Sequence, residues 1–170
     1  MTHYTFTLTF GSGRDKAVAT VRVIEQSTLS DLADALLWAI GFELDHAFGF
    51  HSSLKSPYDK KMEREYTLFA DQGEGRMSSD TGVENTLIGD VFAKGTKMLL
   101  HFDYGEDWMF IVKCTDVETT SSRRRKPEKL SIVGEFPEQY PDYEEDWEDD
   151  EVIVGINPMT GERIEIKRKS

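Results

Sequence analysis

Three carboxylates crowd one short stretch of the chain. Asp103, Glu106 and Asp107 lie within the run His101-Phe-Asp-Tyr-Gly-Glu-Asp-Trp108. Carboxylates this close together can bind a hard divalent cation or share a proton for acid–base chemistry. Asp and Gly are also favoured in turns for local backbone reasons, so we interpret the run first as a structural hairpin turn. The candidate binding residues are Asp103, Tyr104, Glu106, Asp107, Trp108 and His46.

The histidines and the single cysteine form no standard metal-binding pattern. The histidines are His3, His46, His51 and His101. Their spacings fit no zinc motif, and Cys114 has no cysteine partner. The glycine pairs at residues 11–13 and 73–75 lack the residues that complete a phosphate-binding or dinucleotide-binding loop. We therefore expect no metal and no cofactor, although the acidic turn could collect a weakly held Mg²⁺ or Ca²⁺ ion.

The formal net charge of −12 is concentrated in one segment. Ten of the 32 acidic residues lie between Glu135 and Glu151, where there is no Lys or Arg, which leaves 22 acidic against 20 basic residues elsewhere. A net negative charge opposes binding to nucleic acid or anionic membranes. No apolar run approaches the ~20 residues of a membrane span, and one cysteine suits a reducing compartment. We expect a cytoplasmic protein.

Apolar spacing predicts both strands and one main helix. Residues alternate in Tyr4–Phe10 and again in Ala17–Val23, with turn residues between them, which indicates a hairpin. From Leu29 to Ile40 the apolar residues recur every three or four positions, and Thr28 or Ser30 can cap a helix there. Further strands are expected at Phe42–His51, Tyr66–Phe69, Lys97–Tyr104 and Trp108–Thr115, with a short capped helix at Thr86–Phe92.

Composition divides the chain into three parts. Residues 1–118 carry the predicted α+β domain, and residues 119–150 form a basic and then acidic extension rich in Pro and aromatic residues. We expect this extension to be mobile or loosely packed, with Arg123–Lys126 in water or paired with the acidic segment. Residues 151–170 predict a terminal hairpin that packs on the same domain.

Three blocks of sequence resemble a known family. They are Thr28–Phe42, Asp45–Phe50 and the most specific block, Phe102-Asp-Tyr-Gly-Glu-Asp-Trp108. The chain resembles the plasmid Ri-type ORF-three-like family, whose members also occur as passengers of insertion elements and are sometimes labelled TnpR-like. The resemblance covers roughly Tyr4 to Thr115, and Pro137–Tyr143 is similar to the Pro-rich tail of some members.

The resemblance implies an α+β fold in which a mixed sheet of two hairpins wraps one main helix, a β-grasp-like arrangement. The family has no established reaction, so the resemblance implies no activity. We expect a non-enzymatic binding or accessory module, which the resemblance associates with mobile elements. The alternative is a metal-dependent or acid–base hydrolase that uses Asp103, Glu106 and Asp107 with His46. Family members often carry histidines where this chain has Phe48 and Phe110, which supports the absence of a metal.

The acidic segment predicts binding to a basic surface. Its carboxylates surround Tyr140, Tyr143 and Trp147, and their mutual repulsion favours contact with a basic partner or with the chain's own basic residues. Replacing Glu144, Glu145, Asp146 and Glu148 with Gln should weaken that contact, and salt should have the same effect. The fluorescence of Trp147, in a variant lacking the other two tryptophans, measures it. A solvent-like spectrum that neither salt nor a basic partner alters would contradict the prediction.

Overall fold

A computed structural model describes residues 1–75, 80–141, 153–156, 160 and 163–166. The strands are β1 (Thr2–Phe10), β2 (Ala17–Ile24), β3 (Phe48–His51), β4 (Glu65–Thr67), β5 (Lys97–Phe102), β6 (Trp108–Thr119), β7 (Glu128–Val133), β8 (Ile153–Ile156) and β9 (Arg163–Ile166). The helices are α1 (Leu29–Ala39), α2 (Leu68–Asp71) and α3 (Ile88–Val91), with a 3₁₀ turn at Gly13–Asp15. None of the described helices has the length and apolar character needed to cross a membrane.

The central feature is a seven-stranded sheet in the order β4-β3-β5-β6-β1-β2-β7. All of its strand pairs are antiparallel, so the predicted α+β class is confirmed and the predicted mixed sheet is wrong. Two consecutive strands that are neighbours in a sheet can be parallel only if a crossover segment connects them. Here α1 connects β2 to β3, which lie apart in the sheet. The grasp-like arrangement stays a prediction.

The chain divides into two units, Met1–Gln139 and Tyr140–Ser170. In the second unit β8 and β9 form an antiparallel hairpin that starts by pairing Ile153 with Ile166. In the first unit part of the expected loose arm is a strand, because β7 pairs with β2 from Val133 to Glu128. The expectation of a loosely packed arm is therefore wrong for residues 128–133, whose pairing partner lies more than a hundred residues earlier in the chain.

One face of the sheet packs on α1 and forms the apolar core. The helix begins after Thr28, whose Oγ1 accepts a hydrogen bond from the Asp31 amide at 3.1 Å, while Asp31 Oδ2 accepts one from the Thr28 amide at 2.9 Å. This capping box satisfies two amides that the first helical turn leaves unpaired. The core side chains include Phe6, Leu8, Val21, Leu32, Leu36, Phe50, Leu100, Phe102, Phe110 and Val112.

The segment before β3 shows why the third strand is shorter than predicted. The Gln139 side chain binds both backbone groups of Glu43, with Oε1 accepting from the amide at 2.7 Å and Nε2 donating to the carbonyl at 3.0 Å. These bonds occupy groups that a strand would use in its ladder. The predicted strand at Tyr66–Phe69 likewise ends at Thr67, because Thr67 Oγ1 accepts from the Ala70 amide at 3.1 Å and starts α2.

Trp108 packs among aromatic rings at one end of the core. Its ring centroid lies 5.1 Å from Phe42, 5.9 Å from Phe10 and 6.4 Å from Phe110. Trp108 thus packs against the core cluster, to which the helix residues Leu32 and Leu36 also belong.

Replacing Trp108 with Ala should lower the free energy of unfolding by about 3 kcal/mol, because a cavity would remain among the surrounding rings. Trp38→Ala is the matched control, since Trp38 is 53% exposed and its loss should cost much less. Urea unfolding measures both. Equal unfolding midpoints for the two variants would contradict the packing role of Trp108.

Candidate functional site

The acidic turn between β5 and β6 is organised by Asp103. Its Oδ1 accepts hydrogen bonds from the amides of Gly105 at 3.0 Å and Glu106 at 3.4 Å, and its carbonyl accepts one from the Asp107 amide at 2.7 Å. Asp103 and Asp107 both have a φ of 53°. Asp tolerates this left-handed region because its short polar side chain can hydrogen-bond locally. The turn therefore uses Asp103 to build its backbone.

The turn also supplies carboxylates to two different histidines. Asp107 Oδ1 lies 2.7 Å from Nε2 of His101, whose ring is buried on β5. His46 lies in the segment before β3, where its Nδ1 is 2.8 Å from Asp45 Oδ1 and 3.8 Å from Asp103 Oδ2. The predicted residues His46 and Asp103 thus lie together, whereas Asp107 joins a histidine outside the predicted set.

The remaining predicted residues face different surroundings. Glu106 is exposed, and Trp108 belongs to the core side of the sheet. Tyr104 packs on His101, with 4.3 Å between ring centroids, and on Phe69 at 5.2 Å. Tyr104 and Asp107 therefore surround one imidazole, that of His101.

A second buried histidine, which the sequence analysis did not select, lies beside the first. His51 Nδ1 is 3.3 Å from Glu65 Oε1, and both side chains are almost fully buried. The rings of His51 and His101 are 6.1 Å apart. Alternation along β3 and β5 places both on the face opposite the apolar core, because Phe50 and Leu100 point into that core. The alternation of polar and apolar residues along these two strands is the sequence signal that could have indicated both histidines.

Gly49 makes room for this cluster. It pairs with His101 on β5 and with Thr67 on β4. A Cβ atom at this position would lie 2.9 Å from Thr67 Cγ2 and 3.1 Å from His51 Nε2. Only glycine lets the His51 ring lie over the strand at this point.

A cleft of about 200 Å³ lies beside the two histidines. Its described lining residues are Tyr58, Glu65, Thr67, Phe69, Glu74, Asp80 and Tyr104. The Tyr58 ring contacts His101 edge-on, with 5.9 Å between centroids. Three aromatic rings and three carboxylates thus contribute to the lining, and no Lys or Arg is among the described lining residues.

Side-chain hydrogen bonds hold the two loops that form the cleft walls. In the loop that carries Tyr58, Ser52 Oγ accepts from the Arg64 amide at 3.0 Å and Ser53 donates to Asp59 Oδ2 at 2.8 Å. At the end of α2, Asp71 Oδ2 accepts from the Val83 amide at 2.7 Å. This bond closes the stretch that contains Glu74 and Asp80, so both walls have fixed ends.

Comparison with known proteins places the chain in a family whose function is unknown. The sequence pattern of the plasmid pRiA4b ORF-3-like proteins matches residues 2–148. The chain belongs to this family. No curated protein matches it. A similar solved structure is that of a protein of unknown function, MM3350 from Methanosarcina mazei Go1. It has 16% sequence identity and a TM-score of 0.61, and the match covers 77% of this chain and 69% of that one.

The likeness to MM3350 supports the fold alone, so the chemistry of this family member comes from its own residues. Among the described residues, no group of three or more His, Cys, Asp or Glu side chains is arranged to hold a metal ion. Burial raises the pKa of the Cys114 thiol to about 11, which disfavours the reactive thiolate. Of the predicted partner-binding residues, Tyr140 is exposed, whereas Tyr143 and Trp147 lie outside the described part of the chain.

The hydrogen bond with Asp45, followed by the charge of Asp103, raises the pKa of His46 above its usual value. A folded-state pKa above the unfolded one means that protonated His46 favours the folded turn. This contribution is fully present below the unfolded pKa and disappears as the pH rises through the folded one.

Replacing Asp45 with Asn should bring the His46 pKa back toward its usual value, because the charged acceptor of the hydrogen bond is removed. An NMR titration of the His46 ring proton measures the shift. Asp90→Asn, an exposed change on α3, is the control and should leave the titration unaltered. A His46 pKa that is the same in both variants would contradict the assigned cause.

Proposed function

We propose that this protein is a non-enzymatic binding module whose cleft takes an organic cation, such as the ammonium or guanidinium group of a basic side chain. The observation that supports the proposal is the pairing of Tyr58, Phe69 and Tyr104 with Glu65, Glu74 and Asp80 around one cavity. Aromatic faces attract cations through their quadrupole, by ~0.5–1 kcal/mol each at exposed sites. Carboxylates add a coulombic attraction of the same sign.

The size of the cavity favours a side-chain group over a cofactor. At about 200 Å³ it falls below the ~300–1,000 Å³ that is usual for small-molecule sites. A butylammonium or methylguanidinium group has suitable dimensions. Glu65 is buried at the strand β4, whereas Glu74 is exposed, so a cation would meet one carboxylate at the rim and another deeper in the cleft.

The acidic segment also favours a positively charged partner. Tyr140, Tyr143 and Trp147 lie among carboxylates, and Tyr140 is 57% exposed. A basic protein would satisfy the charge of this segment and could also supply the side chain that enters the cleft. We therefore propose a basic protein as the partner of both features.

Acid–base hydrolysis is the second candidate, and the 2.7 Å contact between His101 and Asp107 is the observation that favours it. A carboxylate that orients a histidine is a common catalytic arrangement. Yet the His101 ring is fully buried beneath Tyr58 and Tyr104, where a substrate cannot reach it without displacing them. Binding is the better supported function. A hydrolytic activity that Asp107→Asn abolishes without unfolding the protein would reverse this preference.

Methylguanidinium and butylammonium should bind in the cleft, whereas N-methylurea, which has a similar shape and no charge, should not. The amide resonances of Gly49, Thr67 and Gly105 report binding in an NMR titration. Glu74→Gln should weaken cation binding by about threefold or more, because it removes one exposed carboxylate. Glu84→Gln is the matched control, since Glu84 is also exposed and is not among the lining residues.

Arg76 lies between Glu74 and Asp80 in the sequence, outside the described residues. Arg76→Ala is titrated in parallel as a second protein. Equal shifts with N-methylurea and methylguanidinium, or no shifts with any of these ligands in either protein, would contradict the proposed function.

A further inference from the structure

Within the described part of the chain, strand β7 leaves one edge of the large sheet open. It pairs with β2 on one side and faces no described strand on the other. Within it, Leu130, Ile132 and Val133 are 40%, 44% and 67% exposed. Residues 130–133 contain no charged side chain. Exposed apolar edge strands are templates for pairing with another chain.

The lysine that could protect this edge contacts helix α1 of its own chain instead. Lysine side chains commonly keep edge strands apart, and β7 contains Lys129. However, Lys129 Nζ donates to the Ala39 carbonyl at 3.3 Å and lies 5.6 Å from the centre of the Trp38 ring. The ammonium group is therefore held against α1 of its own chain and does not guard the open edge.

A bulge interrupts only the first half of the strand. The register with β2 shifts between Thr20 and Val21, so that Leu130 is the extra residue on β7. From Ser131 to Val133 the pairing is regular. This regular part carries two of the three exposed apolar side chains.

Charges of opposite sign flank β7. The basic run Arg123–Lys126 precedes it, and Glu135 and Glu138 follow it, all of them exposed. Two copies that pair in antiparallel orientation bring the basic flank of each beside the acidic flank of the other. Parallel pairing would bring like charges together. The charge pattern thus fits a second copy of this chain in one orientation.

We propose that β7 pairs antiparallel with β7 of a second copy, which joins the two sheets across a two-fold axis. In an antiparallel ladder, opposed residues lie on the same face, so a symmetric pair must place one residue opposite itself. A centre at Ser131 places Leu130 of each copy opposite Ile132 of the other. This register uses the exposed apolar side chains as cross-strand pairs.

Sedimentation equilibrium of the full chain tests the proposal. The wild-type protein should dimerise, and Ile132→Lys should raise the dimer dissociation constant at least about tenfold, because it places a charge on the open edge. Leu54→Lys is the matched control: Leu54 is 40% exposed in the loop after β3, and its replacement should leave the constant unchanged. Added salt should weaken the dimer, because it screens the oppositely charged flanks.

Mild oxidation of Ser131→Cys should give a disulfide-linked dimer, whereas Ser12→Cys, in the turn between β1 and β2, should not. Circular dichroism verifies that each variant folds, and Val133→Lys replaces Ile132→Lys if the latter unfolds. A wild-type protein that stays monomeric at all concentrations, or a dimer that the lysine on β7 does not weaken, would overturn the proposal. Both outcomes are independent of ligand binding in the cleft.

Discussion

The hydrogen bonds of Asp103 are the interactions on which the candidate site depends. Its amide donates to the Ala47 carbonyl at 3.0 Å, which ties the turn after β5 to the segment before β3. Its carboxylate and carbonyl oxygens then accept hydrogen bonds from the amides of Gly105, Glu106 and Asp107. This geometry turns the chain so that Tyr104 and Asp107 both reach His101. An alanine at position 103 would lose both the side-chain hydrogen bonds and the tolerance for positive φ.

The two faces of the sheet carry different kinds of side chain. The face toward α1 is apolar from β2 to β3, and its burial stabilises the domain. On the other face His51, Glu65 and His101 are buried where apolar side chains would pack without any desolvation penalty. Polar burial of this kind lowers stability unless each group finds a partner. Here Glu65 lies 3.3 Å from His51 and Asp107 lies 2.7 Å from His101, so these buried groups have partners.

Local signals in the sequence predicted the elements that local interactions determine. The β1–β2 hairpin follows from alternation, α1 from the apolar stripe and the Thr28 cap, and the turn at Asp103 from its residue types. The elements that sequence reasoning missed depend on distant contacts. The start of β3 is fixed by Gln139, 96 positions away from Glu43, and β7 acquires its structure from pairing with β2. No local sequence pattern indicates such a contact.

The candidate site shows the same division. The turn carboxylates were predicted as a group, but strand register decides which histidine each one meets. His101 comes within reach of Asp107 because β5 and β6 are adjacent, and His51 comes near His101 because β3 pairs with β5. The second relation is not visible in sequence spacing, since the two histidines lie 50 positions apart. The scattered histidines therefore looked unrelated until the topology was known.

The order of strands links the two proposed surfaces. The cleft lies at the β4 end of the sheet, and the open edge of β7 lies at the other end. Pairing through β7 would therefore leave the cleft of each copy accessible. A partner with several basic side chains could then occupy both clefts at once, and the second contact would be intramolecular. The affinity of such a bivalent complex can exceed that of one cleft by ~10²–10⁴-fold when the partner spans the distance between the two clefts. Weak recognition of single cations is thus compatible with firm binding of a basic protein.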